Sequence, residues 1–174
     1  MASVEYLIKQ YLSDDKRSLD LSNYSLGDKG VTILVKSQSL ARLRRLSLPN
    51  NNIGDEGAIE LANAGILKNL TELELYGNVI GDDGVKAIAE STHFTRLKKL
   101  GLYGNLVEDD GAFAIAESKS LKKLTYLYIS ANRVRREGIE ALRSAKSRTF
   151  LCHLYVDDIE DFAYADDYDE EEED

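Results

Sequence analysis

The chain has 174 residues, 43% hydrophobic and 30% charged, with a formal net charge of −9, which suits one domain with enough apolar side chain for a core. A single cysteine, Cys152, excludes an internal disulfide, and two histidines with that cysteine argue against structural zinc. No stretch approaches the about 18 apolar residues of a membrane span, and MASVEYLIKQYLSDD holds no uninterrupted apolar signal segment, so the expectation is a soluble, cytoplasmic protein, with the nucleus also open.

The charge is divided along the chain. Residues 157–174 hold 12 acidic and no basic residues, leaving 19 acidic and 22 basic residues in 1–156. A basic-leaning body therefore carries a separate acidic arm.

In chain order, residues 1–15 are read as an N-terminal capping helix. Ser3 precedes a run in which Val4, Leu7, Ile8, Tyr11 and Leu12 recur at helical spacing. Over 16–156 one unit recurs with a constant period of 27. Its first leucine stands at Leu43, Leu70, Leu97, Leu124 and Leu151, with Lys16 in the same register one period earlier. The next two strand positions are Leu19 and Leu21, Leu46 and Leu48, Leu73 and Leu75, Leu100 and Leu102, Leu127 and Ile129, Leu154 and Val156. Six short strands follow, in about six units that must stack to bury their apolar edges.

After each strand comes Asn51, Asn78, Asn105 or Asn132, with Tyr24 at that place in the first unit; such an amide can satisfy backbone groups where the strand turns away. Asp28, Asp55 and Asp82 read as residues that start the helices. The glycines 30, 57, 84, 111 and 138 are expected to let each helix approach the sheet. Val31, Ala58, Val85, Ala112 and Ile139, with Leu34, Leu61, Ile88, Ile115 and Leu142, form two core columns. A further column, Leu40, Leu67, Phe94 and Leu121, breaks at Arg148, as Ala62, Ala89 and Ala116 give way to Arg143. Arg133, Arg135, Arg136 and Lys146 make a basic cluster in the fifth unit. Beyond the last strand, Ile159, Phe162 and Tyr164 are candidates to cover the final core layer. Residues 157–174 are read as an acidic tail that is at least partly disordered.

The strings LTELELYGNVI, LKKLGLYGNLV and LTYLYISANRV resemble the leucine-rich repeat family, and GDEGAIELA and GDDGVKAIA resemble the helical half of its ribonuclease-inhibitor-like subclass. The resemblance covers residues 16–156. It implies an α/β solenoid with a curved parallel sheet inside and helices outside, and leaves function open.

With the leucines inward, the intervening strand positions face out across the concave sheet. One row is Ser18, Arg45, Glu72, Lys99, Tyr126 and His153; the next is Asp20, Ser47, Glu74, Gly101, Tyr128 and Tyr155; the third is Ser22, Pro49, Tyr76, Tyr103, Ser130 and Asp157. Tyr76, Tyr103, Tyr126, Tyr128 and Tyr155 thus gather toward the C-terminal half. Together with Arg45, Glu72, Glu74 and Lys99 they are the candidate partner-binding residues, because a tyrosine adds apolar area with a polar tip at little cost in rotamer freedom. Tyrosine's strand propensity and cross-strand stacking are the structural alternative, as is a charge ladder among Arg45, Glu72 and Lys99. Basic residues before the strands, Arg42, Lys68, Arg96, Lys98, Lys122 and Lys123, suggest a rim for an acidic partner; carboxylates interspersed in the sequence argue against nucleic acid.

The chain has no GxxxxGK loop and no HExxH, and its histidines, His93 and His153, fall on different elements, so neither catalysis nor a cofactor or metal is expected. The expected function is a non-enzymatic adaptor that binds a protein through the tyrosine-rich face, with a basic protein as a candidate second partner for the tail. Two alternatives remain. A leucine-rich solenoid with an acidic tail resembles the Ran GTPase-activating proteins, which implies a loop arginine, for which Arg133 is a positional candidate. A microbial protein acting on host proteins is the other. The tail also resembles those of nuclear leucine-rich acidic proteins, which bind basic proteins.

Overall fold

A computed structural model of the chain describes residues 2–146 and 151–157. Arg148 and the cap residues Ile159, Phe162 and Tyr164, like the acidic segment from 158 onward, lie outside the described residues. Six three-residue strands, β1 (Ser18–Asp20), β2 (Arg45–Ser47), β3 (Glu72–Glu74), β4 (Lys99–Gly101), β5 (Tyr126–Tyr128) and β6 (His153–Tyr155), form one parallel sheet in sequential order. Each strand residue pairs with its equivalent one period on, as Leu46 does with Leu73 and Leu73 with Leu100.

The helices are α1 (Val4–Tyr11), α2 (Gly27–Leu34), α3 (Asp55–Asn63), α4 (Asp82–Glu90), α5 (Asp109–Ala116) and α6 (Arg136–Lys146). Between them and the sheet lies one continuous core in which the leucines of β1–β5 and both helix columns are buried, with Leu154 of β6 half-buried at its end. Phe94 fills the place held elsewhere by Leu40, Leu67 and Leu121, and is fully buried. Each such side chain contributes about 1.5–3 kcal/mol of burial.

Helix α1 closes the first layer of that core. Ser3 Oγ accepts from the Tyr6 N–H at 3.3 Å, and Val4, Leu7 and Ile8 are buried. The chain then folds back so that Leu12 pairs antiparallel with Leu19, covering the outer edge of β1. Lys16 sits in a turn with φ 57°, so the first unit lacks a leucine there because the chain reverses. At the other end Arg143 is exposed where Ala62 and Ala89 are buried between neighbouring helices.

Three ladders run along the stack. In the first, each asparagine reaches back to the preceding unit. Asn51 Oδ1 accepts from the N–H groups of Tyr24 (3.0 Å) and Leu26 (3.3 Å), and its amide donates to Leu21 O at 2.7 Å; Asn78 repeats this on Asn51, Ile53 and Leu48, each at 3.0 Å. Asn105 and Asn132 continue it. The buried backbone at each turn is thereby paired.

The second ladder differs from the expectation. Gly54 and Gly81, at the starts of α3 and α4, carry no capping side chain, and the carboxylate comes from the preceding unit. Asp28 Oδ1 accepts from Gly54 and Gly57 (2.8 and 2.9 Å), Asp55 from Gly81 and Gly84 (2.7 and 2.9 Å), Asp82 from Glu108 and Gly111 (2.8 and 3.0 Å), and Asp109 from Arg135 and Gly138 (2.8 and 3.2 Å). Each aspartate lies in the first turn of one helix and caps the next. Gly57, Gly84, Gly111 and Gly138 serve this cap, while Gly30 is crowded by Leu26 alone: a Cβ on Gly84 would lie 2.7 Å from Asp55 Oδ1, 2.8 Å from Ile80 Cγ2 and 2.9 Å from Ala58 Cβ. Their crowding is against the neighbouring aspartate and side chains rather than against the sheet.

The third regularity is conformational. Asn23, Asn50, Gly77, Gly104 and Ala131, equivalent positions in successive units, all have φ between 54° and 66°. This left-handed residue turns the chain out of each strand, a role that suits Asn and Gly and costs an alanine about 1–2 kcal/mol.

Candidate functional site

The strand registers align the outward rows as their spacing predicts: Arg45, Glu72, Lys99, Tyr126 and His153 are successive partners, as are Ser47, Glu74, Gly101, Tyr128 and Tyr155. The open sheet face has two chemically distinct halves.

On the N-terminal half the charges are paired. Arg45 Nε and one terminal nitrogen donate to the two carboxylate oxygens of Glu72 at 2.7 and 3.0 Å. That bidentate bond holds the Glu72 carboxyl below its ordinary range. Lys99 does not join Glu72 in a single ladder, as the alternating signs suggest. Its ammonium donates to Glu74 at 2.7 Å, and this bond raises the Lys99 pKa. Glu72 is already engaged, and Gly101, opposite Glu74, offers no side chain to compete.

The C-terminal half is aromatic. Tyr128 and Tyr155 stack with centroids 4.4 Å apart and planes 3° from parallel; Tyr126 and His153 stack at 4.4 Å and 4°. Tyr76 meets Tyr128 edge to face at 6.2 Å, although β4 lies between their strands. Gly101 makes this possible, because the Tyr76 ring occupies the space into which a Cβ on residue 101 would project. Burial raises the phenol pKa of both Tyr76 and Tyr128. Lys99 stands 5.3 Å from the Tyr128 centroid, joining the halves by a cation–π contact.

Tyr76, Tyr128, Tyr155 and Lys99 therefore form one connected surface, with the Tyr126–His153 stack beside it on the same strands. Arg45, Glu72 and Glu74 adjoin it. Tyr103, 54% exposed, stands at its margin with exposed Val79 and Leu106, which occupy the loops that follow β3 and β4. Those two were not among the sequence candidates; their signal is an apolar residue between the ladder asparagine and the buried Ile80 or Val107. Gly101 was in the candidate row without a role, and its signal is a missing side chain amid filled positions.

Elsewhere, Arg133 lies in the loop after β5, its N–H donating to Val107 O and its guanidinium 3.6 Å from Glu108. Among the described residues no group of three His, Cys, Asp or Glu side chains converges as for a metal ion, and no helix is long and apolar enough to cross a membrane.

Comparison with known proteins finds a family likeness over part of the stack. The Leucine Rich repeat family matches residues 42–62 and 67–89, two successive units of the stack. No curated protein matches the chain. Among solved structures, an internalin from Listeria monocytogenes is similar, with a TM-score of 0.51 and 23% identity over 86% of this chain. The match spans 45% of that internalin's length, and it is a likeness of fold.

Proposed function

We propose, for a chain built of leucine-rich repeats, that it is a non-enzymatic protein-binding module whose partner seats on the aromatic half of the open sheet face. The observation that carries this is the connected surface of Tyr76, Tyr128 and Tyr155, with Tyr126 beside it, on strands fixed by the ladders below. Rings already stacked lose little freedom on contact, and Lys99 and the paired carboxylates supply a polar border. The helical outer half of each unit suits the ribonuclease-inhibitor-like subclass, which we propose for it.

Affinity capture from native lysate with the wild-type chain and with Tyr128→Ala/Tyr155→Ala tests the reading. Both rings stand outside the core, so circular dichroism should be unchanged. Loss of anchors in an interface centre weakens binding by about 30-fold or more. Equal capture of the same partner by both proteins would refute the face as the contact.

A further inference from the structure

The edge of the solenoid where chain enters the strands is basic. Segments 35–44, 64–71, 91–98 and 117–125, which link helix ends to strand starts in four successive units, contain nine Lys or Arg against one acidic residue, Glu117. Arg44, Lys68, Arg96, Lys98, Lys122 and Lys123 are all exposed. Among the described residues, the cations in ion pairs are Arg17, Arg45, Lys99 and Arg133, none of which belongs to these segments. Adjacent units hold the rim in register: Thr71 N–H donates to Arg44 O, Lys98 to Thr71 O and Thr125 to Lys98 O, each at 2.8 Å. The rim is thus a row of exposed positive charge on a backbone held in register, repeated about every 4.8 Å, one strand spacing, with Asp15 near Arg42 at its first-unit end.

We infer that this rim is the docking site of the chain's own acidic segment, residues 158–174. That segment has 11 carboxylates and no cation. It follows Asp157, which is fixed by accepting from the Ala131 N–H at 2.9 Å. The start of β6, at His153, lies about 13 Å back along the strand, and a segment of this length reaches about 55–60 Å when extended, so Lys122, Lys123 and Lys98 are within its span. The other basic group, Arg133, Arg135, Arg136 and Lys146, already has carboxylates of the preceding unit against it, with Glu108 paired to Arg133 and Asp109 accepting from the Arg135 N–H. The opposite edge, where Asp55, Glu56, Asp82 and Asp83 start the helices, repels the segment. Tethering supplies an effective concentration in the millimolar range, so individually weak exposed pairs suffice to hold it.

The test uses the full chain. A nitroxide is attached to the thiol of Ala165→Cys in a Cys152→Ser background, and amide relaxation enhancement is measured without any partner, which keeps the outcome independent of the sheet-face reading. The expected result is strong enhancement at Lys98, Lys122 and Lys123 with little at 133–136. It should fall at about 1 M salt, where the Debye length is about 3 Å, and in Lys98→Glu/Lys122→Glu/Lys123→Glu. Glutamine at the same three positions should give an intermediate fall, guarding against disruption of the fold by the reversal. Enhancement centred on 133–136, spread evenly over the surface, or unchanged by the rim variants overturns the proposal.

Discussion

Asp55→Ala removes one cap that joins two units. Asp55 Oδ1 accepts two backbone N–H groups at the start of α4, from Gly81 at 2.7 Å and Gly84 at 2.9 Å. A local capping substitution costs about 0.5–2 kcal/mol. Here both donors lose a charged acceptor in a half-buried place, and α3 loses a carboxylate from its own first turn, a further cost of about 0.3–1 kcal/mol. The expected total is about 2 kcal/mol. Glu56→Ala, one position along the same turn, removes only the second contribution and should cost about 0.5 kcal/mol. Urea unfolding measures both, and hydrogen exchange should quicken at the Gly81 and Gly84 amides in Asp55→Ala alone. Gly84→Ala should be destabilising in the wild type despite alanine's helix propensity, and less so beside Asp55→Ala, where one of its three crowding atoms has gone. Equal costs for Asp55→Ala and Glu56→Ala would refute the cap across units.

Three further outcomes are expected. Gly101→Ala should expel the Tyr76 ring from beside Tyr128 and let the Tyr76 phenol pKa fall toward its ordinary value, read by ultraviolet difference titration against Tyr76→Phe. Ala131→Gly relieves a left-handed alanine at φ 54° and should stabilise the chain by about 0.5–1 kcal/mol in urea, since the gain is offset by the greater freedom of glycine when unfolded. Glu72 has a folded pKa below its unfolded value, so its contribution is complete above the unfolded pKa and disappears as pH falls through the folded one. Both partners are partly exposed, which limits the effect to below about 1 kcal/mol; Arg45→Ala should flatten that acid limb of the stability curve.

The constant period made the strands, their order and the outward rows legible, because parallel stacking converts a fixed spacing directly into register. The asparagine column was legible for the same reason. The destinations of side chains were less so. A local capping rule assigns Asp28, Asp55 and Asp82 to their own helices, whereas the stacked geometry aims their carboxylates at donors 26 and 29 residues away. Asp109 belongs to that column and escaped notice, although its spacing marks it. Lys99 lies level with Glu72 but bonds Glu74, a choice made by the bidentate hold of Arg45 and the open space above Gly101. A column gives a residue its address in the unit, and only packing decides which neighbour it leans toward.

That separation bears on how a surface can be specific on so regular a frame. Columns engaged in ladders are constrained by both neighbours: altering Asn78 disturbs the backbone of its own unit and the one before it, and altering Gly84 disturbs the carboxylate that caps its helix. The outward strand positions take no part in the polar ladders, so their chemistry varies from unit to unit without disturbing them. It does so here in one step, at Gly101. On one side the side chains are charged and satisfied by each other; on the other they are aromatic and stacked, with Tyr76 leaning through the gap to extend the aromatic group by one strand. A charge pair already made has to be desolvated or broken by an incoming partner, whereas stacked rings add apolar area without that cost. On the proposed function the aromatic half is therefore where a partner gains most, and residue 101 sets how far the aromatic group reaches.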